Sequence, residues 1–116
     1  MSDCVFCQIA AGSIPATIVA RSEDAVAFRD LNPQAPTHVL VIPKQHVTKA
    51  GDAVAAPEGD RLLGGLVRFA VQTAKQLGLE ERGYRLVINT GPDGGQTVFH
   101  LHLHLLGGRR MTWPPG

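Results

Sequence analysis

Aromatic residues are scarce in this chain, 5% of 116 residues with one Trp and one Tyr, and its positive and negative charges nearly cancel at a formal +1. The only adjacent basic pair is Arg109-Arg110. The stacking platforms and electropositive surface that nucleic-acid binding uses are therefore missing. No apolar run reaches the ~20 residues of a membrane-spanning helix. Met1-Ser2-Asp3-Cys4 lacks the basic start and apolar stretch of a secretory signal. Internal repeats and low-complexity segments are absent as well. These absences lead us to expect a soluble, cytoplasmic protein that binds neither nucleic acid nor membrane. With 44% hydrophobic and 18% charged residues the chain has the makings of a folded globule, and at 12.4 kDa residues 1–116 make one domain rather than two. So small a domain gains from a metal, a disulfide or a partner subunit.

What is present reads as short strands around one long helix. Asp3 is a suitable N-cap for a helix over residues 4–11, closed by Gly12. Residues 17–20 and 24–29 read as strands joined by the charged turn Arg21-Ser22-Glu23, followed by the stiff connector Asn32-Pro33-Gln34-Ala35-Pro36. The apolar run from His38 to Ile42, closed by Pro43, predicts a central strand. After a loop holding Gly51 and Pro57, Leu63, Leu66, Val67, Ala70, Ala74 and Leu77 recur at helical spacing, and Gly78 ends that helix. Residues 84–90 read as a strand, 91–97 as a glycine-rich loop and 98–106 as the longest strand. Short connections favour an antiparallel meander of about five strands, covered by the long helix with the N-terminal helix beside it, which makes the class α+β. A small sheet leaves edges open, and a homodimer that extends the sheet would cover one of them.

The most informative segment is Phe99-His100-Leu101-His102-Leu103-His104-Leu105. On a strand, alternation sends His100, His102 and His104 to one face and Phe99, Leu101, Leu103 and Leu105 to the core. Imidazoles two residues apart are then ~6.5–7 Å from each other, and His100 and His104 are ~13 Å apart. Zinc needs ligands converging at ~2 Å, so the triad cannot share one ion. An extended anion such as a phosphate ester fits better, meeting the histidines in turn. A merely solvated polar face is the plain alternative, and three histidines in register weigh against it. His38 reaches the same face if its strand is a neighbour. The preceding loop, Gly91-Pro92-Asp93-Gly94-Gly95-Gln96-Thr97, offers backbone N–H groups, an amide and a hydroxyl where a phosphate would lie. It lacks the Gly-Lys-Ser/Thr of a Walker loop.

The His-apolar-His-apolar-His run followed by two apolar residues resembles the histidine triad superfamily. So do Asp30, Pro36-Thr37-His38-Val39-Leu40-Val41-Ile42-Pro43-Lys44, Asp93-Gly94-Gly95-Gln96-Thr97-Val98 and Leu106-Gly107-Gly108-Arg109. The close, Met111-Thr112-Trp113-Pro114-Pro115-Gly116, is similar to the Hint branch, the histidine triad nucleotide-binding proteins. This resemblance implies a homodimeric hydrolase or transferase acting on phosphoramidates or related esters of nucleoside monophosphates, with a purine (AMP- or GMP-type) ligand preferred. His102 would be the nucleophile that forms a nucleotidyl-histidine intermediate, and His104 and His38 would serve the phosphate oxygens or the leaving group. No metal is required for that chemistry. By the same resemblance Asn89, Gly95, Gln96 and Thr97 meet the phosphate and ribose, with Thr97 where many relatives have Ser, and Val98 belongs to the nucleotide site. Asp30 would accept from the ribose hydroxyls, and Val5, Phe6, Ile9, Phe28 and Leu31 would line the base pocket, plain core packing being the alternative for the apolar ones. Trp113 would lie near the partner subunit's site.

Cys4 and Cys7 are the only cysteines, and their spacing puts both on one face of the first helical turns. In a reducing compartment that spacing reads as zinc or redox chemistry before a structural disulfide, with two small buried residues as the bland reading. Some superfamily branches complete a zinc set with the histidine after the Pro-Lys turn and the first histidine of the triad, here His46 and His100. Such a structural Zn2+ would tie the N-terminal helix to the sheet. The commonly studied Hint members lack these cysteines. The competing readings are a nucleotide-sensing module without turnover, a dinucleoside polyphosphate hydrolase, and a metal-dependent enzyme at the histidines, which the strand spacing disfavours.

Overall fold

The computed structural model describes residues 3–116, and Met1 and Ser2, which the expectation about a signal sequence includes, lie outside the described residues. Strands β1 (Ile18–Arg21), β2 (Ala25–Arg29), β3 (Thr37–Pro43), β4 (Tyr84–Val87) and β5 (Leu103–Gly107) form one sheet in the order β1-β2-β3-β5-β4, and every neighbouring pair is antiparallel. The helices are α1 (Val5–Ala11), α2 (Ala50–Ala55), α3 (Gly59–Gln76) and the single turn α4 (Gly91–Gly94). The α+β class, the five strands, the long helix and the short N-terminal helix match expectation. The meander runs through β1, β2 and β3, after which β5 takes the place beside β3. Because β3 and β4 both run antiparallel to β5 they are parallel to each other, and a parallel relation needs a crossover, here α2 and α3.

Alternation sorts the strands onto two cores. Val39 and Val41 of β3, with Leu103 and Leu105 of β5, pack beneath Leu66, Ala70 and Ala74 of α3. On the other face Leu40, Ile42, Val26 and Phe28 pack against Phe6 and Ile9 of α1. β3 is thus buried on both sides, which is why it reads as continuous apolar sequence. α1 is too short to cover its whole face, and the end of the sheet holding His38 and His104 stays open. Among the described residues no helix is long and apolar enough to cross a membrane.

The structure revises several local expectations. The N-cap of α1 is Cys4, whose thiol accepts from the Cys7 N–H, rather than Asp3, while Gly12 closes the helix at φ 79° as expected. The loop after His46 contains α2, an alanine-rich turn and a half with Ala53 buried under α3. Gly59 starts α3 because a Cβ there would run into the Ala53 carbonyl. The strand expected over 98–106 keeps ladder geometry only from Leu103. Upstream the Leu101 N–H turns to the Val47 carbonyl at 2.7 Å, and the Gln96 amide holds the Val98 carbonyl at 3.1 Å. Phe99, expected in the core, is consequently 63% exposed, while Leu101, Leu103 and Leu105 are buried. The strand expected over 84–90 stops at Val87, opposite His104 and one residue short of the start of β5 at Leu103.

Candidate functional site

β3 and β5 pair Leu40 with His104 and His38 with Leu106, so His38, Leu40 and His104 share the face that carries α1. His38 Nδ1 accepts the Gln34 N–H at 3.0 Å. A neutral imidazole with an accepting Nδ1 carries its proton on Nε2. That nitrogen lies 2.9 Å from His104 Nδ1 and 3.5 Å from the Asp30 carboxylate. His38 therefore donates to His104 Nδ1, and the same rule puts the His104 proton on Nε2. His102 is fixed the opposite way: its Nδ1–H donates to the His100 carbonyl at 2.7 Å, which leaves the lone pair on Nε2. The ring centroids of His102 and His104 are 5.0 Å apart, and His102 itself lies just outside the ladder.

Burial lowers the pKa of His104 to about 4, helped by the neighbouring His102 and His38 rings and opposed by Asp30. Burial also lowers that of His38, with Asp30 pulling it back up. The pair is thus neutral at physiological pH, and His104 is an uncharged ring whose proton is on Nε2.

A cavity of about 610 Å³ opens beside these rings, within the usual range for small-molecule sites. Val5, Phe6, Ile9, Phe28, Asp30 and Leu31 line it, as do Gly95, Thr97, Val98, His38, His102 and His104. Of the residues singled out in the sequence, Asn89, Gln96 and Trp113 do not. Gln96 is a strut instead: its Oε1 accepts the Gly91 N–H at 3.1 Å, and its Nε2 donates to the carbonyls of Thr48 (2.7 Å) and Val98 (3.1 Å). Asn89 lies beneath the α4 turn, and Trp113 is 82% exposed. The glycine-rich segment is part helix, and the N–H groups of Gly95 and Gln96 already bond within it. Sequence reading passed over Thr17, Arg29, Asn32, Gln34 and Leu40, which also line the cavity. Only Leu40 carried a signal, by alternation with His38.

Cys4, Cys7, His46 and His100 form a second cluster whose four ligand atoms all lie within 4.8 Å of one another. His100 is fully buried, its Nε2–H donates to the Pro43 carbonyl at 2.8 Å, and its Nδ1 lone pair faces the two sulfurs at 3.3 and 3.5 Å. His46 Nδ1 sits 3.3 Å from Cys7 Sγ and 3.2 Å from His100 Nδ1. A tetrahedral zinc with bonds of about 2.05 Å to N and 2.3 Å to S sets ligand edges of about 3.3 Å (N–N) and 3.6 Å (N–S). The separations match, and the carbonyl behind His100 is the outer partner a ligating imidazole needs. Burial lowers the pKa of His100, which keeps it in the neutral, ligating form. The four residues thus fit a structural zinc. Phe6, between the two cysteines in sequence, packs edge-on to both His100 (6.0 Å) and His102 (5.2 Å), so the cluster and the cavity share a wall.

Comparison with known proteins agrees with this geometry. The HIT domain model matches residues 11–111. A 14 kDa zinc-binding protein of Zea mays is 52% identical over 115 residues, covering 99% of this chain and 89% of that protein. The solved structure of a HIT family hydrolase from Legionella pneumophila superposes with a TM-score of 0.93 at 52% identity, covering 98% of this chain and all of the other. That of a histidine triad nucleotide-binding protein from Candida albicans gives 0.81 at 31% identity, over 97% and 83% of the two chains.

Proposed function

This chain belongs to the HIT domain family, and from that premise we propose that it cleaves nucleoside 5′-phosphoramidates or related nucleoside monophosphate esters, purines preferred, through a nucleotidyl-His102 intermediate. One observation carries the reading. His102 spends its only proton on the His100 carbonyl, which leaves an Nε2 lone pair on a ring 5.0 Å from that of His104, whose own proton is on Nε2. A nucleophile and a donor for phosphate oxygen thus line one cavity.

In the proposed cycle His102 Nε2 attacks the α-phosphorus, an N–P bond forms and the bond to the leaving amine breaks. His104 donates to the phosphate oxygen or the departing nitrogen and is backed by His38. Water then attacks phosphorus, the His102–phosphorus bond breaks, and a nucleoside monophosphate and a free amine leave. Asp30 at the cavity edge is suited to the ribose hydroxyls, and Phe6, Ile9 and Phe28 to an apolar purine face. Zinc, as borne in the name of the Zea mays relative, is the ion we assign to Cys4, Cys7, His46 and His100. When bound it supplies a cross-link from α1 to the sheet. The open β4 edge and the exposed Val67 and Val71 of α3 support a homodimer that extends the sheet, with Trp113 near the partner's cavity.

Amine release from an adenosine phosphoramidate tests the reading. The protein should liberate the amine, and His102→Ala should abolish release while still binding AMP. A trapped intermediate should add a nucleotidyl mass to the peptide holding His102. Undiminished release by His102→Ala, or none by the native protein across purine phosphoramidates, overturns the proposal.

A further inference from the structure

Arg109 lies beyond the end of β5, on the outside of the segment that carries Asp30, Gln34 and His38. Gly108, at φ 90°, lets the chain press against that segment: a Cβ there would meet Pro36 Cβ at 2.9 Å. From this turn Arg109 sends Nε (3.2 Å) and Nη2 (3.0 Å) to one acceptor, the Gln34 carbonyl. Gln34 in turn gives its N–H to His38 Nδ1, and His38 Nε2 meets His104 Nδ1. A continuous series of hydrogen bonds thus runs from an exposed guanidinium to the imidazole facing the cavity.

We propose that Arg109 is a positioning residue that fixes Gln34 and thereby locks His38 and His104 in the tautomers that direct an N–H into the cavity. This rests on the hydrolase reading for its consequence but not for its geometry. Each neutral imidazole carries one proton, so the pattern passes from ring to ring. If Gln34 swings away, only the Asp30 carboxylate, 3.5 Å from Nε2, still favours a proton there, and His38 gains access to the tautomer that holds its proton on Nδ1 and accepts at Nε2. His104 then has to donate from Nδ1, and its Nε2 offers a lone pair to the cavity, which repels a phosphate oxygen instead of binding it. A planar fork suits the clamp better than a lysine ammonium, because two parallel donors restrict the angle as well as the distance.

Long-range 1H–15N correlation spectra of the imidazoles report which nitrogen is protonated in each ring of the ligand-free protein. The native protein should show protonated Nε2 and bare Nδ1 for both His38 and His104. Arg109→Ala should move both rings toward the opposite tautomer and lower kcat for amine release about tenfold or more, leaving KM within about twofold. Arg109→Lys keeps charge and stem, should shift the same signals in part, and serves if the alanine variant does not fold. Unmoved ring signals in the folded variants overturn the proposal, as do moved signals with unchanged kcat. Failure of the native protein to release any amine refutes the hydrolase reading alone, because the spectra still test the clamp.

Discussion

Acidification should destabilise this protein through His104, and its surroundings set the size of the effect. Burial, with the His102 and His38 rings nearby, takes its pKa from 6.5 to about 4. The folded state therefore holds this proton less readily than the unfolded chain, and stability falls as protons are added. The contribution of neutral His104 is fully present above pH 6.5 and is lost as the pH drops toward 4. At about 1.4 kcal/mol per pKa unit the whole shift corresponds to about 3 kcal/mol, and about 2 kcal/mol of it is gone by about pH 5. His38 moves in the same direction. Acid also weakens any metal held by the thiols, so the measurement must be a difference. His104→Asn keeps an acceptor where Nδ1 meets His38 and does not titrate. Urea unfolding of both proteins from about pH 8 to about pH 5 should show the native protein's advantage shrinking by about 2 kcal/mol. Parallel curves refute the argument that His104 is forced neutral by its setting.

Two further outcomes follow from the packing and the metal cluster. Protein purified without chelator should hold close to one zinc per chain, and replenishing stripped protein to a hundredfold excess over Kd should add about 2.7 kcal/mol in a thermal or urea melt. Metal content far below one, with no shift on addition, removes zinc from Cys4, Cys7, His46 and His100. Gly107→Ala places a Cβ 2.8 and 2.9 Å from the two Leu79 methyls, and denaturation should show a loss of about 1–3 kcal/mol; an unchanged midpoint means that Leu79 moves aside freely.

The parts of the fold that sequence made legible are those in which one residue's neighbours in the chain decide its environment. The continuous apolar run His38–Ile42, the helical spacing of Leu66, Ala70 and Ala74 and the αL glycine at Gly12 are of this kind. Contacts between distant segments were harder to read. Nothing local says that the Leu101 N–H bonds to Val47, and that bond takes Phe99 out of the core. Gln96 looks like a ligand contact because amides in glycine-rich loops often are, whereas here Thr48 and Val98 occupy it. The tautomers of the triad were hidden for the same reason. Spacing excluded a shared metal and the family resemblance gave the three histidines separate tasks, but only the partners of each ring reveal where the protons sit: on Nε2 of His100, whose Nδ1 faces sulfur, on Nδ1 of His102 and on Nε2 of His104.

The insertion of β5 between β3 and β4 also constrains how the protein is made. Of the five strands it is the last to leave the ribosome, yet it occupies an interior place, with Val39 waiting for Leu105 across most of the chain. A nascent chain can assemble β1, β2 and β3 early, but the flank of β3 stays unsatisfied until β5 is synthesised, a non-local closure of the slow kind. Truncated translation products would therefore carry an adhesive strand and no working centre, which makes them clients for chaperones or proteases.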